Sequence, residues 1–228
     1  MSGRPRLTGQ RRRQILEAAA EVIAERGLCE TRVTDVARRA GTSAALVIYY
    51  FETKDRLLTE ALTFADDRFY LQAFHDLTAL DSPRDQLVRL IELSVPSEPD
   101  VTADWTLWVE LWTRARRDPE TARKREALDR RWRGTIADIV REGQRAGDFL
   151  PVDADHFALR LTAMLDGLAV QALLGDPDVT GERMRATCLD MATRELGFDA
   201  QVAVAAAGGA RPLSARRRTT ATEPRSRR

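Results

Sequence analysis

The sequence predicts an all-α protein of about nine helices, in which a small N-terminal domain is joined by a long helix to a larger helical domain. Apolar side chains recur at intervals of three and four residues through most of the chain, as they do along one face of an α-helix. Pro, Ser, Thr or Asp stands where several of these segments begin, and Gly stands where several end. The expected divisions are a flexible basic arm (1–9), a three-helix N-terminal domain (10–56), a larger helical domain (57–197) and a disordered basic tail (198–228).

The first two predicted helices lie between residues 10 and 40. The first is amphipathic and ends at Gly27, and its apolar stripe consists of Ile15, Ala18, Ala19, Val22 and Ile23. The second is short, and its apolar face consists of Val33, Val36, Ala37 and Ala40. The small alanines on this face allow a neighbouring helix to cross closely.

A tight turn separates the second helix from the third. Gly41 can adopt the left-handed conformation that often follows a helix, and the hydroxyls of Thr42 and Ser43 can cap the next helix. In that third helix, Val47 and Phe51 are four residues apart and are expected to face the second helix. This spacing predicts a helix-turn-helix motif, whose second helix enters the major groove of DNA.

Short and polar side chains on the outer side of the motif are candidate DNA contacts. Ala44 and Ala45 can touch a thymine methyl group, and Tyr49 can hydrogen-bond a phosphate or a base. Lys54, at the start of the next helix, can bind a phosphate together with free backbone N–H groups. The full candidate set is Arg32, Thr34, Thr42, Ser43, Ala44, Ala45, Ile48, Tyr49, Tyr50 and Lys54.

This stretch resembles the DNA-binding domain of TetR-family transcription regulators over roughly residues 10–58. The resemblance is carried by a D-V-A-x-x-A-G-x-S core, by an aromatic pair that ends on Phe, and by a Thr-Lys step into a long helix. Those positions are Asp35, Val36, Ala37, Ala40, Gly41, Ser43, Tyr49, Tyr50, Phe51, Thr53 and Lys54. Ile48 departs from the pattern, because many members carry an aromatic or polar side chain there.

Six further helices are predicted after residue 53. A long helix from Lys54 to about Ala79 can join the two domains as one rigid element. Ser82 and Pro83 mark the start of the next helix, which Pro96 and Pro99 end. The remaining predicted helices cover residues 101–117, 118–146, 154–174 and 180–196.

Trp105, Trp108 and Trp112 lie on one stripe of the helix over residues 101–117. Such a stripe is compatible with an aromatic core, or with a cage in which indole faces hold a quaternary ammonium or a polyamine. Glu110 lies on the opposite face of the helix and does not serve the same pocket. With Phe74 and Asp166 added, these tryptophans are the candidate effector-binding residues. Asp166 has a second interpretation, in which it caps a helix or pairs across a subunit interface.

The segment 154–174 is apolar nearly all round, so it must be covered on more than one side. The motifs D-W-x-L-W-x-E-x-W, R-R-D-P and L-D-G-L resemble the C-terminal domain of the BetI-like, choline-responsive TetR subgroup. The resemblance to TetR proteins implies that the last two long helices form a four-helix interface in a homodimer. The candidate interface residues are Leu161, Met164, Leu165, Gly167, Leu168, Met184 and Cys188.

Charge is distributed unevenly along a chain whose formal net charge is +1. Residues 1–56 carry a net charge of +4, residues 57–197 carry −8, and residues 198–228 carry +5. This pattern is expected when only the N-terminal domain meets nucleic acid. No apolar run is long enough for a membrane span and no secretion signal is recognisable, so a cytoplasmic protein is expected.

Few residues suit catalysis or metal binding. The chain has two histidines and no H-E-x-x-H or phosphate-binding glycine motif, and its cysteines, Cys29 and Cys188, are far apart and expected to be buried. We therefore expect no enzyme activity, no cofactor and no metal. The predicted function is a homodimeric repressor that binds a palindromic operator in double-stranded DNA and is released by a small, possibly cationic effector. The alternatives are a DNA-architectural protein without an effector and a helical small-molecule-binding enzyme.

Overall fold

Nine α-helices and no strand make up the part of the chain that the computed structural model describes, residues 4–199. This confirms the predicted fold class. The helices are α1 (Arg4–Glu30), α2 (Val33–Arg39), α3 (Ala44–Phe51), α4 (Lys54–Thr78), α5 (Pro83–Leu93), α6 (Pro99–Ala115), α7 (Pro119–Ala146), α8 (Ala154–Leu173) and α9 (Gly181–Leu196).

The two ends of the described chain differ from the predicted boundaries. Helix α1 begins at Arg4, so residues 4–9 belong to a helix rather than to a separate arm. At the other end, Phe198 is buried and its ring lies 5.3 Å from that of Phe149. The larger domain therefore includes Phe198, because the ring has a partner in the core. The rest of the predicted basic tail lies outside the described residues.

Helix termini have the capping chemistry that the sequence indicates. Ser43 accepts a hydrogen bond from the N–H of Leu46 at 3.2 Å. Asp118 accepts from two N–H groups of the first turn of α7. Gly147 has a φ of 77°, a left-handed conformation that ends α7 with little strain. These local signals fix where the helices begin and end.

Two hydrophobic cores meet at α6. The first core joins α1, α2, α3 and the start of α4, and the second lies among α5 to α9. Leu107 and Leu111 of α6 belong to the first core, whereas Trp105 of the same helix belongs to the second. Helix α6 is thus packed on one side against the N-terminal domain and on the other side inside the larger domain.

The two cysteines lie in different environments. Cys188 is fully buried, and burial raises the pKa of its thiol to about 11. Cys29 is exposed, so the expectation that it is buried is wrong. It follows the break in α1 at Gly27, where the chain turns toward α2.

Candidate functional site

The turn between α2 and α3 has the geometry of a helix-turn-helix. Gly41 has a φ of 61°, and the N–H of Thr42 donates to the carbonyl of Ala37 at 2.9 Å, which closes the end of α2. Val47 and Phe51 are fully buried and hold α3 against the N-terminal core, as predicted. The inner side of α3 is therefore fixed by packing, and its outer side is left to solvent.

The predicted DNA contacts lie mostly on the outer side of α2, the turn and α3. Tyr49 is the most exposed of the aromatic candidates, with 77% of its surface accessible. Tyr50 is half-buried, packs on the core and makes an edge-to-face contact with Tyr49 at 5.6 Å. The exposed candidates are Arg32, Thr34, Ser43, Ala45, Ile48, Tyr49 and Lys54, and the half-buried ones are Thr42, Ala44 and Tyr50.

Arginines next to the motif are held by carboxylates of the same domain. Arg39 pairs with Glu21 at 3.0 Å and with Glu25 at 2.6 Å. Arg38 pairs with Asp35. The Arg39 pairs join α2 to α1, whereas the Arg38 pair lies within α2, and each exposed pair contributes little to stability by itself. Lys54, by contrast, stands exposed in the first turn of α4, where the helix dipole favours an anion.

A partly open cavity lies inside the larger domain. It collects side chains from α4, α6, α7 and α8, together with Ser94 after α5. Trp105, Trp108, Trp112 and Asp166 all line it, so the structure brings four of the five predicted effector residues together. Phe74 is the exception. It is exposed on the outer side of α4 and lines a second, more open pocket that shares only Tyr70 with the cavity, so it is not part of the cavity as predicted.

The aromatic rings of the cavity are arranged edge to face. Trp108 lies 4.6 Å from Trp105 and 4.8 Å from Phe69, with interplanar angles of 86° and 87°. Trp132 of α7, which the sequence analysis did not single out, lies 5.8 Å from Phe69. The guanidinium of Arg125 already lies over the Trp112 ring, 5.8 Å from its centre. Aromatic rings that line such a space can attract a cation through their faces, as the Trp112 ring does with Arg125.

Three carboxyl groups line the same cavity. Burial raises the pKa of Asp66 to about 7, partly opposed by a hydrogen bond from Trp108. Burial and the nearby charge of Asp129 also raise the pKa of Asp166 to about 7. Asp129 itself has a raised pKa, again mainly because of burial, and forms an ion pair with Arg125 at 2.5 Å. Arg125 is the one cation among the described side chains that line this cavity, and an added cation would favour the ionised form of the three carboxyl groups.

The cavity is connected to the N-terminal domain through the opposite side of α6. Glu110 of α6 accepts a hydrogen bond from the N–H of Leu28 at 2.9 Å, just after the break in α1. One turn later, Arg114 forms an ion pair with Asp55 in the first turn of α4. One helix therefore carries the cavity tryptophans and also contacts the end of α1 and the start of α4. Glu110 lies away from the cavity, as the sequence indicated.

The predicted dimer residues fall into two groups. Leu161, Leu165, Met184 and Cys188 are buried in the core of their own subunit, so they cannot contact a second copy and their selection is corrected. Met164 and Leu168 are half-buried, and Gly167 is exposed. Leu159 on the outward stripe of α8 is 50% exposed, and Leu174, the first residue after the helix, is 80% exposed. The exposed residues along this stripe are His156, Leu159, Ala163 and Gly167, with Gln171 beside them and Leu174 just after the helix.

The described residues contain no candidate metal site and no candidate membrane-spanning helix. No group of three or more His, Cys, Asp or Glu side chains between residues 4 and 199 is arranged to hold a metal ion. Within the same range, none of the helices has both the length and the apolar character needed to cross a membrane.

Two protein-family models match the chain. "Bacterial regulatory proteins, tetR family" covers residues 15–61, and "BetI-type transcriptional repressor, C-terminal" covers residues 83–197. The HTH-type transcriptional regulator BetI of Stenotrophomonas maltophilia is 29% identical over 177 residues, which cover 77% of this chain and 87% of that protein. BetI 2 of Chromohalobacter salexigens is 31% identical over 172 residues, which cover 72% of this chain and 78% of that protein.

Solved structures show the same similarity. A Saccharomonospora viridis protein, described as a transcriptional regulator in complex with choline, is 34% identical and superposes with a TM-score of 0.77. The alignment covers 82% of this chain and 98% of that one. A Rhodococcus protein described as a TetR-family transcriptional regulator is 29% identical, with a TM-score of 0.71 over 82% of this chain and 99% of that one.

Proposed function

Because this chain belongs to the TetR family of bacterial transcription regulators and carries a BetI-type C-terminal domain, we propose that it is a homodimeric repressor, released from a palindromic operator by a small quaternary ammonium cation. The matched families and relatives are transcription regulators, not enzymes, as the sequence analysis expected. The observation that carries the effector class is the cavity that tryptophan side chains and mostly buried carboxyl groups line together.

The chemistry of the cavity favours a permanently charged, compact cation. Quaternary ammonium groups are weakly hydrated and attracted to indole faces, here those of Trp105, Trp108 and Trp132. Asp66 and Asp166 can balance the charge without forming a close ion pair. The choline complex of the S. viridis protein supports a ligand of this size and charge. The cavity also favours a ligand-responsive regulator over a DNA-architectural protein, which has no use for such a site.

The proposed dimer uses the outward stripe of α8. Leu159, Ala163, Gly167 and Leu174 recur at helical spacing and are exposed in the single chain. Exposed leucines at both ends of a stripe with small residues at its centre favour close packing against a second copy of the helix. In such a dimer, two α3 helices would contact half-sites separated by about one helical turn of DNA, roughly 34 Å, or by a multiple of it.

Release follows from the position of α6 between the two domains. A cation that draws the tryptophan side of α6 into the cavity also moves Glu110 and Arg114, whose partners are Leu28 in α1 and Asp55 in α4. Tilting α1 and α4 changes the distance between the α3 helices of the two subunits. Typical couplings of roughly 1–3 kcal/mol change DNA affinity by about 5–150-fold, which is enough to switch a promoter.

A DNA-release titration tests the proposal. The full-length protein is bound to labelled DNA from upstream of its own gene, and choline is added while fluorescence anisotropy is followed. We expect release at saturating choline, and no release for Trp108→Ala, which should still bind the DNA. If no quaternary ammonium or polyamine releases the DNA or changes tryptophan fluorescence, the effector class is wrong. Equal affinity for random duplex at physiological salt would favour the architectural alternative instead.

A further inference from the structure

We propose that Thr162 and Asp166 hydrogen-bond a hydroxyl group of the effector, so that the cavity selects a hydroxylated quaternary ammonium over one that ends in a methyl or a carboxylate group. This inference rests on the proposed function and adds to it a polar subsite on α8. It concerns the end of the ligand that lies away from the ammonium group.

The unusual feature is the hydroxyl of Thr162. Thr162 is only 8% exposed and lines the cavity, yet its Oγ1 has no hydrogen-bond partner among the described residues. Threonines within other helices donate to the carbonyl four residues earlier, as Thr59 does to Asp55 at 3.1 Å and Thr106 does to Thr102 at 2.9 Å. Leaving a buried hydroxyl unpaired is unfavourable. A ligand atom in the cavity would satisfy it.

Asp166 lies one helical turn after Thr162, so both side chains project from the same side of α8 into the cavity. A ligand hydroxyl can donate its hydrogen to the Asp166 carboxylate and accept one from Thr162. The tryptophans of α6 lie on a different wall of the cavity and can hold the ammonium group. A ligand with a cationic end and a hydroxyl end fits both walls at once.

The same residues disfavour two related ligands. A cation that ends in a methyl group leaves the Thr162 hydroxyl unpaired and covers Asp166 without a hydrogen bond. A zwitterion that ends in a carboxylate meets Asp66, Asp129 and Asp166 with Arg125 as the one cation among the described lining residues, so the ionised carboxyl groups weaken its binding. Sites built to bond a hydroxyl reject analogues without it more strongly than apolar pockets do.

A matched pair of ligands and two variants test the inference. Choline and trimethylpropylammonium have the same charge and nearly the same size and differ by a hydroxyl in place of a methyl group. Their Kd values are measured by tryptophan fluorescence for the full-length wild type, Thr162→Val and Thr162→Ser. We expect the wild type to prefer choline by about tenfold, the worth of one or two buried hydrogen bonds. Thr162→Val should reduce this preference by about threefold or more, because only the Asp166 bond then remains, and Thr162→Ser should keep it.

The outcomes separate the inference from the function on which it rests. Equal binding of both ligands by the wild type, or an unchanged preference in Thr162→Val, would overturn the hydroxyl subsite and leave the aromatic cation site intact. Failure of the wild type to bind either ligand would overturn the proposed effector class itself. Thr162→Val removes an unpaired hydroxyl and keeps the volume, so its melting temperature should equal or exceed that of the wild type. An equal or higher value excludes misfolding as the cause of weaker binding.

Discussion

Acidification is expected to weaken choline binding steeply, because the cation favours ionised carboxyl groups that burial keeps partly protonated. Asp66 and Asp166 each have a pKa raised to about 7. Choline carries a permanent charge, so any dependence of Kd on pH between 6 and 8 comes from the protein. The charged groups that act on these two carboxyls are Asp67, Asp129, Arg125, Arg131 and Arg133, and the arginines stay charged throughout.

The magnitude follows from the two titrations. A carboxyl with a pKa of about 7 is about nine-tenths ionised at pH 8 and about one-tenth ionised at pH 6. If choline binds only when Asp66 and Asp166 are both ionised, its Kd rises by about tenfold for each group, or about 100-fold in all, between these pH values. The variant Asp166→Asn has one titrating group left in this pair. Its Kd should therefore change by only about tenfold over the same range.

The assay is tryptophan fluorescence titration of the full-length protein with choline in buffers of equal ionic strength. The unliganded protein has the opposite pH dependence. Because the folded-state pKa of each carboxyl lies above its unfolded value, the stability linked to it is present at low pH and is lost as pH rises through about 7. Choline should therefore raise the melting temperature more at pH 8 than at pH 6. A Kd that is the same at both pH values would refute the electrostatic argument.

Three further predictions concern DNA binding, dimerisation and coupling. Tyr49→Ala should weaken operator binding by about tenfold or more in an anisotropy titration, with a nearly unchanged melting temperature, because Tyr49 is exposed. Gly167→Arg should give monomers in light scattering, whereas the control variant Gly134→Arg should remain dimeric. A Cβ added at either glycine has no neighbouring atom within 4 Å, so both variants are expected to fold. Arg114→Ala should leave the Kd for choline within about twofold of the wild-type value, but choline should then weaken DNA affinity by less than about threefold. Glu110→Gln should have a weaker effect in the same direction.

Each of these predictions has a clear contrary result. An unaltered operator affinity would remove Tyr49 from the DNA contacts. A stable dimer of Gly167→Arg would mean that α8 does not form the interface through its outward stripe. If Arg114→Ala responds to choline like the wild type, the contact between α6 and α4 does not carry the signal.

The N-terminal motif could be predicted because its signals are local. Gly41, Ser43 and Phe51 lie within eleven residues, and each acts on the chain next to it: a left-handed turn, a cap and a buried ring. The cavity could be predicted only in part. The tryptophans of α6 form a visible stripe, but Asp66, Trp132 and Thr162 come from three other helices and join it only through tertiary packing.

The dimer residues show a second limit of sequence patterns. Helix α8 is apolar on nearly all sides, so periodicity alone does not distinguish the side that faces its own subunit from the side left for a partner. The structure makes that distinction: Leu161 and Leu165 face inward, and Leu159 and Gly167 face outward. Phe74 was misplaced for a related reason. A large aromatic near the end of α4 suits a pocket, but the helix turns this residue away from the cavity that Phe69 lines.

The composition of the cavity also explains why an effector can act as a switch. A ligand shifts a conformational equilibrium only by the difference in its affinity for the two conformations. Without a cation, burial keeps Asp66 and Asp166 partly protonated, and the Thr162 hydroxyl has no hydrogen-bond partner among the described residues. In a conformation with an open cavity, water can hydrate these groups. In the closed conformation, a bound cation can instead stabilise the ionised carboxyl groups. In the proposed mechanism, the preferred position of α6 therefore depends on whether the cavity is occupied, and α6 contacts both α1 and α4.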